Sequence, residues 1–436
     1  MVSEIRLTAD TARWTSVPGP KTIVRQELPN GIVCLVYENF SSPSVVVQGR
    51  LPVGGLAVPR AKAGLTGFVA DMLMRGTAHR TFAAINESIE SVGASLEFDT
   101  SWHSTTFSGH SLAEDMPLIC DIVADCLRYP TFPAEHVAKV RGEIITSLEQ
   151  RAHDTRRMAM LTLYETLFEG HPMSISGLGY QDTIEGITVD DLRAFYEAHF
   201  RPQGLTITIV GAVAAGQALD TVRRALGDWQ PPTPAPKPAF PPMPALTEVR
   251  RREVAIPGKT QADLVLGWIG PERQHPDYMA ARLANTVLGV FGMMGRIGDS
   301  VRDRQGLAYY AYSSLISGLT PGPWMAVAGV DPGHVEQAAA SILEEVRRMR
   351  EELVPEQELA ENKAYLTGSM PLALETNAGV ASTLETMEVY QLGLDYLERY
   401  PILINEVTAQ DIQRLSAAYL DPRAYALSIA RPEAKA

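Results

Sequence analysis

The sequence predicts an α+β fold built from two similar domains, each with an antiparallel-rich sheet packed against helices. Three observations lead to this prediction: a length of 436 residues, a proline-rich segment near the middle, and a pattern of residues that recurs in both halves. A chain of this length exceeds one ordinary domain and suits two of roughly 200 residues each. No Gly-x-Gly-x-x-Gly follows a predicted strand, which argues against a doubly wound nucleotide-binding sheet.

The boundary between the domains is predicted at the proline-rich segment. Residues 229–245 read WQPPTPAPKPAFPPMPA. Prolines at this density interrupt helices and central strands, and they favour an extended, semi-rigid spacer. We therefore predict an N-terminal domain at 1–228, a linker at 229–247 and a C-terminal domain at 248–436.

The closing segments of the two halves, 187–211 and 407–431, look like diverged copies of each other. Each reads as a capped helix, a turn containing proline and a strand. In each copy, a threonine suited to the N-cap precedes an aspartate at the spacing of a capping box. The identical matched positions are Thr188 with Thr408, Asp191 with Asp411, Ala198 with Ala418, and Pro202 with Pro422.

Other patterns also recur in the second half. Strand-like runs at 104–107 and 324–328 each precede an amphipathic helical pattern, at 116–127 and 335–346. Asp331 is predicted to cap the second of these helices. Helices grouped with antiparallel-looking strands in this way are typical of an α+β fold.

Composition and charge argue against several classes of function. The net charge of −13 disfavours nucleic acid or an anionic membrane as a main partner, because both bind basic surfaces. No apolar run approaches the roughly 20 residues needed to span a bilayer. Residues 1–14 lack the basic and apolar regions of a signal peptide, which predicts a cytoplasmic location, or a periplasmic one if a signal has been removed.

The cysteines and histidines form no recognisable disulfide or metal pattern. Cys34, Cys120 and Cys126 include no C-x-x-C pair, so we predict three free thiols in the core. No two of the nine histidines have the spacing of a metal-ligand pair on a helix. His103 falls in a predicted edge strand, and His171, which precedes a proline, is predicted to have a structural role.

Three segments of the chain resemble one known family. They lie at 53–81, 167–213 and 291–313, and they include the stretches GLTGFVADMLMRGT and SVRDRQGLAYYAYS. The sequence resembles the pitrilysin/insulysin family of zinc metallopeptidases, in the branch of the mitochondrial processing peptidase and its bacterial relatives. The resemblance implies two similar α+β domains joined by a linker. It also implies a chamber, enclosed by two halves or two subunits, that admits unfolded peptides.

The resemblance also shows what this chain lacks. Catalytic members carry an H-x-x-E-H motif on a helix and a distal glutamate, which together hold zinc and supply a general base. Here the motif positions are occupied by Gly67, Ala70 and Asp71, and the distal position by Ser147. One carboxylate without histidine partners does not make a zinc site. We therefore predict no metal or cofactor in this chain, and zinc in a partner subunit.

The second half keeps a different pair, Arg302 and Tyr309. They match an arginine and a tyrosine that the family contributes from its C-terminal half. The resemblance implies that these groups donate hydrogen bonds to the substrate carbonyl and the developing oxyanion at a zinc site. Arg296 and Arg304 are alternatives for the arginine, although the spacing to Tyr309 favours Arg302. The other interpretation is that Arg302 forms a surface ion pair and Tyr309 fills the core.

A further match concerns the predicted edge strand at 96–101. In catalytic relatives the equivalent segment pairs with extended substrate by strand addition. In this chain Glu97 and Asp99 replace more neutral residues. The position of this strand therefore predicts a role in peptide binding, whereas its charged residues do not.

These observations predict a non-catalytic subunit of a heterodimeric zinc peptidase. A homologous partner would carry H-x-x-E-H, while this chain would close the peptide chamber and present Arg302 and Tyr309 to the partner's active site. The chain is not expected to be an enzyme by itself. Two other interpretations stay open: an inert scaffold or peptide-binding protein of the same fold, and an active enzyme with an unusual metal site.

Overall fold

A six-stranded sheet organises the first half of the chain. The structure, a computed structural model, describes residues 17–230 and 240–433. The strands of the first sheet are β1 (Ile23–Glu27), β2 (Val33–Glu38), β3 (Ser44–Leu51), β4 (Ser95–Thr100), β5 (Thr105–Leu112) and β6 (Thr206–Gly211). Their order across the sheet is β1-β2-β6-β3-β5-β4. Of these neighbouring pairs, β2–β6 is parallel and the others are antiparallel.

The second half repeats this arrangement with a second sheet. Its strands are β7 (Arg250–Ile256), β8 (Ala262–Gly270), β9 (Ala308–Leu315), β10 (Gly322–Val330) and β11 (Ala426–Pro432). Their order is β7-β11-β8-β10-β9, and β7–β11 is the parallel pair. This order matches β2-β6-β3-β5-β4 strand for strand. The topology confirms that the halves are diverged copies, and the two antiparallel-rich sheets confirm the predicted fold class.

The helices also follow a similar sequence in both halves. The first half contains α1 (Leu65–Leu73), α2 (Phe82–Glu90), α3 (Met116–Arg128), α4 (Ala134–Ala152), α5 (Thr155–Leu167), α6 (Gln181–Gly186), α7 (Val189–His199) and α8 (Ala215–Leu226). The second half contains α9 (Tyr278–Gly289), α10 (Phe291–Ile297), α11 (Val335–Glu351), α12 (Glu356–Ala373), α13 (Asn377–Val389), α14 (Tyr396–Glu406) and α15 (Ala409–Tyr419). Among these described helices, none combines the length and apolar character that a membrane crossing requires.

The predicted capping boxes are present in both halves. At the start of α7, the amide of Asp191 donates to Thr188 Oγ1 (3.2 Å) and the amide of Thr188 donates to Asp191 Oδ2 (2.8 Å). Thr408 and Asp411 make the same reciprocal pair at the start of α15, with distances of 3.0 and 3.1 Å. Each pair satisfies two backbone donors that a helix start would otherwise leave unpaired.

Two local predictions were wrong. Asp331 caps a short 3-10 turn, and the α-helix itself begins only after that turn, at Val335. His103 is not in the edge strand, because β4 ends at Thr100 and His103 lies in the turn before β5. Its Nε2 lies 3.0 Å from Thr320 Oγ1 of the second half, and burial lowers its pKa to about 4. His103 is therefore a neutral contact between the two halves.

The buried histidine and the cysteines are structural, as predicted. His171 Nδ1 accepts a hydrogen bond from the amide of Met173 (3.1 Å), so its Nε2 carries the proton and donates to the carbonyl of Pro241 (3.2 Å). The three cysteines are buried and unpaired. Cys120 and Cys126 lie on α3, and burial raises the pKa of each thiol to about 12.

The predicted linker is coil in its described parts. Residues 229–230 and 240–249 form neither helix nor strand, and residues 231–239 lie outside the described ranges. Residues 1–14, on which the location was predicted, also lie outside them. The domain boundaries stay a prediction.

Each sheet has one face covered by helices of its own half and the other face covered by a helix from the opposite half. In β3, Val45 and Val47 face the core of the first half, whereas Val46 joins the core of the second half. The helix that covers this second face is α13, which packs along β3 and β6. In return, α5 of the first half packs along β7, β8 and β11, where Leu163 joins Val265 in a third apolar cluster.

Polar contacts fix the two exchanged helices in place. Arg25 on β1 donates twice to the carboxylate of Glu388 on α13, at 2.8 Å each. Asn377, at the start of α13, donates to the carbonyl of Ser44 (3.2 Å). Beyond the end of α5, the carboxylate of Glu169 accepts from Arg252 on β7 (2.9 Å). These contacts orient helices whose apolar faces supply most of the burial.

We predict that Leu163→Ala destabilises the second sheet, although Leu163 belongs to the first half. The side chain is fully buried against Gly267, where an added Cβ would lie 2.9 Å from Leu163 Cδ1. Its truncation leaves a cavity, so the free energy of unfolding should fall by about 3 kcal/mol. Urea denaturation measures this change, and hydrogen exchange should report lost protection in β8 and β11.

Leu372→Ala is the matched control for this substitution. Leu372 is exposed, so its truncation should change the free energy of unfolding by no more than about 0.5 kcal/mol. Equal effects of the two substitutions would contradict the packing role of α5.

Candidate functional site

The degenerate zinc motif lies on α1, which packs against α4. The helix α1 begins after Gly64, whose φ of 90° is in the left-handed region, and it carries Gly67, Ala70 and Asp71. The neighbouring helix α4 carries Ser147. The positions implied by the resemblance therefore lie on two helices that touch.

The side chains at these positions do not fit a zinc ion. Gly67 has no side chain, and Ala70 is buried and apolar. The hydroxyl of Ser147 donates to the carbonyl of Glu143 in its own helix (3.0 Å). Zinc sites need three or four nitrogen, sulfur or carboxylate ligands. Among the residues that the structure describes, no group of three His, Cys, Asp or Glu could hold a metal.

Asp71 is the remaining carboxylate at the degenerate motif, and its pKa is raised to about 6. Part of the side chain is exposed, but surrounding protein atoms reduce its hydration, and this loss of hydration is the main cause of the shift. Arg75 opposes the shift, whereas Glu143 and Asp99 add to it.

A cleft opens beside the start of α1. Its first part is a cavity of about 370 Å³ between α1, the end of β4 and Ile316 of the second half. Gly67 does not line this cavity but lies next to it, since an added Cβ there would lie 3.7 Å from the carbonyl oxygen of Gly177, which lines it. Its second part, of about 550 Å³, shares Trp102 and residues 175–177 with the first. The cleft thus lies beside the helix of the degenerate motif, and it meets the second half at Ile316 of its first part.

Three arginines line the second part of the cleft, and the sequence analysis missed them. Arg151, Arg156 and Arg157 lie at the end of α4 and the start of α5, and they outnumber the single carboxylate of the lining. Arg151 donates to Ser176 Oγ (2.7 Å), and the Arg156 guanidinium lies 5.2 Å from the centre of the Tyr310 ring. The available signal was the run of basic residues in RAHDTRR between two predicted helices.

Arg302 and Tyr309 lie at the open edge of the second sheet. Arg302 is in a π-helical turn (Gly298–Arg304) that packs against β9, and Tyr309 is on β9 itself. The strand β9 is the last in its sheet. Tyr309 is 84% exposed, so it does not fill the core as the alternative interpretation required.

The neighbouring arginines are engaged elsewhere. Arg296 donates twice to the carboxylate of Glu358, at 2.8 and 2.6 Å. Arg304 lies 2.8 Å from a carboxylate on its own turn. The nearest carboxylate to Arg302 is that of Asp303, at 4.0 Å. Of the three arginines, Arg302 is the one least tied to an acidic partner.

Within one chain, the pair does not line the cleft beside the degenerate motif. The cavity beside α1 meets the second half at Ile316, which follows β9, whereas Tyr309 is near the start of β9. The extended chain between them spans roughly 23 Å. Neither Arg302 nor Tyr309 lines the cleft. The pair is therefore open to contacts outside this chain.

The first sheet also has an open edge, at β4. Its core-facing residues include Leu96, whereas Glu97 and Asp99 are exposed on the alternate positions. This strand was correctly predicted to be an edge strand. An open edge offers unpaired backbone donors and acceptors to an extended peptide.

We predict that Asp71 makes the chain less stable as pH rises from about 4 to about 6. The folded state raises the pKa of Asp71 from 3.8 to about 6, so in this range it binds more protons than the unfolded state. NMR titration should give a pKa near 6, and Asp71→Asn should remove this part of the pH dependence and stabilise the chain at pH 7. An ordinary carboxyl pKa, with no effect of the substitution, would contradict the prediction.

We also predict that three substitutions restore zinc binding: Gly67→His, Asp71→His and Ser147→Glu. Positions 67 and 71 share one face of α1, and none of the positions 67, 71 and 147 is fully buried. Two histidines, one glutamate and a water molecule are enough ligands for zinc. Elemental analysis should find about one zinc per chain in the triple variant. The wild type and the double variant without Ser147→Glu serve as controls and should retain little. A folded triple variant without zinc would contradict the inferred arrangement of α1 and α4.

Comparisons with known proteins agree with this geometry. A family model described as insulinase (peptidase family M16) matches residues 36–179, and one described as the peptidase M16 inactive domain matches residues 186–366. Together the two matches include both the degenerate motif and the Arg302–Tyr309 pair.

Similar proteins extend the match to almost the whole chain. A Streptomyces coelicolor protein named as an uncharacterized zinc protease is 27% identical, over 95% of this chain and 88% of its own length. A Helicobacter pylori protein named as a non-peptidase homolog is 25% identical, over 90% of this chain and 89% of its own. The crystal structure of a peptidase M16 inactive domain from Pseudomonas fluorescens has a TM-score of 0.87 at 24% identity, over 94% of this chain and 98% of that one. The chain belongs to the M16 family of insulinase-like peptidases, and it carries Gly67, Ala70 and Asp71 at the positions of the family's H-x-x-E-H motif.

Proposed function

We propose that this chain is the non-catalytic subunit of a heterodimeric zinc peptidase. It closes a chamber that holds unfolded peptides, and it presents Arg302 and Tyr309 to substrate bound at the zinc site of a homologous catalytic subunit. The zinc and the general base belong to that partner.

The exposure of the Arg302–Tyr309 pair carries this proposal. Tyr309 is 84% exposed on an edge strand, so its hydroxyl is accessible to a group on another molecule. In the part of the chain that the structure describes, the carboxylate nearest to Arg302 is that of Asp303, at 4.0 Å. Among the described residues, the Arg302 guanidinium donates only to Met293 Sδ (3.9 Å), a weak acceptor, so it and the phenolic hydroxyl can both donate to a developing oxyanion. Since neither residue lines the cleft beside the degenerate motif of its own chain, the site that the pair serves lies on another molecule.

The cleft supports the peptide-holding part of the proposal. An extended peptide paired along the open edge of β4 would continue toward Trp102, which lines both parts of the cleft. The arginines of the second part would meet acidic side chains or a peptide carboxylate there.

A second candidate function is an inert scaffold or peptide-binding protein. The same open edge and cleft favour it, because both are independent of any metal. The related Helicobacter pylori protein is named as a non-peptidase homolog, which suits either function. The exposed Arg302–Tyr309 pair is the feature that a pure scaffold would not need.

We predict that Tyr309→Phe lowers the kcat of the complex by about a hundredfold while the subunits still associate. Removal of one oxyanion donor typically has this size of effect, and the exposed hydroxyl contributes nothing to the fold. Purified chain would be mixed with its catalytic homologue, peptide cleavage assayed, and association followed by sedimentation. Arg302→Gln should behave in the same way.

Two control variants separate catalysis from general surface effects. Arg304→Gln removes a neighbouring cation, and Tyr365→Phe removes the hydroxyl of another exposed tyrosine; both should leave kcat unchanged. If the catalytic homologue alone cleaved peptide as fast as the complex does, the subunit proposal would be contradicted. An active complex that is insensitive to Tyr309→Phe and Arg302→Gln would leave a scaffold role for this chain.

A further inference from the structure

A second cavity, in the second half, is unrelated to the peptide cleft. It has a volume of about 540 Å³ and lies among α9, α12, α13 and α14. This volume is within the range of about 300–1,000 Å³ that is usual for small-molecule sites. Its lining includes Arg273 and Arg282 but no aspartate or glutamate.

The two arginines carry unbalanced positive charge into this cavity. Arg273 is only 7% exposed, and Arg282 is half-buried. Among the residues that the structure describes, neither forms an ion pair with a carboxylate. A buried guanidinium without a counter-ion is costly, and this chain has a net charge of −13 and many acidic residues that could have paired with it.

Tyrosine rings hold both guanidiniums. The Arg273 guanidinium lies 4.0 Å from the centre of the Tyr278 ring and donates to the hydroxyl of Tyr396 (2.8 Å). The Arg282 guanidinium lies 5.0 Å from the centre of the Tyr400 ring. Cation–π contacts offset part of the desolvation cost, but they leave several N–H donors of each guanidinium for another acceptor.

A third donor is left without a partner at the same place. Tyr400 is 2% exposed and lines the cavity, yet its hydroxyl has no hydrogen-bond partner within residues 17–230 and 240–433. Burial raises the pKa of Tyr400 to about 12, with both arginines among the charges that act on it, so the hydroxyl keeps its proton at neutral pH. An unpaired buried hydroxyl is unfavourable unless a ligand completes it.

We propose that this cavity binds a small organic anion, with a carboxylate or phosphate held by Arg273, Arg282 and the Tyr400 hydroxyl. The rest of the lining indicates the remainder of the ligand. Apolar side chains of α12 and α14, including Leu366, Met370 and Leu397, suit an apolar or aromatic body. The proposal does not depend on the peptidase role, because the cavity contains neither the degenerate motif nor the exposed pair.

The test uses the full chain and three probes: benzoate, phenyl phosphate and inorganic phosphate. We expect saturable binding of benzoate or phenyl phosphate by NMR titration, with a rise in Tm, and the tighter of the two identifies the anionic group. Inorganic phosphate should bind more weakly, because it lacks the apolar body. Phosphate binding as tight as that of phenyl phosphate, or no saturable binding of any probe at millimolar concentration, would overturn the proposal.

Two variants locate the anion. Tyr400→Phe removes a hydroxyl that has no partner, so the chain should fold with an equal or higher Tm while the Kd for the probe rises about tenfold. Arg282→Gln should weaken binding to a similar extent, and a loss in either variant places the anion in this cavity. The control is Arg193→Gln, an exposed arginine of the first half, which should leave the Kd unchanged. An unchanged Kd in both cavity variants would refute the assignment.

Discussion

The helix α5 of the first half packs on the second sheet, and α13 of the second half packs on the first sheet. This crossing of two helices between the halves is the constraint on which the remaining structure depends. Each sheet has an apolar face that its own half does not cover: Val46 and Val210 lie on that face of the first sheet, and Val265 and Val327 on that of the second. Exposure of either apolar face to water would be unfavourable in free energy. Because each half supplies the helix that the other lacks, the two halves are joined by shared cores and not by the linker alone.

This exchange also explains where the candidate sites lie. The helix α5 packs Leu163 onto the second sheet, and its first turn brings Arg156 into the cleft beside the first sheet. The cleft is therefore a by-product of the crossing. The edges at β4 and β9 stay open because the exchanged helices cover faces of the sheets, and faces alone. Tyr309 can face outward for this reason.

Local features could be predicted from the sequence, whereas contacts between distant segments could not. The capping box at Thr188 has a short-range signal, because its donors and acceptors lie within one turn. The edge position of β4 and the loss of the zinc ligands followed from the resemblance. The crossing of α5 had no such signal, because an apolar helix face does not specify which sheet it will cover. The environment of the Tyr400 hydroxyl likewise depends on four helices that meet only in the folded chain. The prediction that His103 lies in the edge strand was wrong because a turn ends β4 before that residue.

The crossing also constrains how the chain folds during synthesis. The helix α13 that completes the first sheet leaves the ribosome long after β6, the last strand of that sheet. Until then, the nascent first half exposes an apolar sheet face, and α5 has no sheet to pack against. Contacts this distant in sequence form slowly, and the exposed face is prone to association in the meantime. This interval of exposure is inherent in a fold whose two copies complete each other.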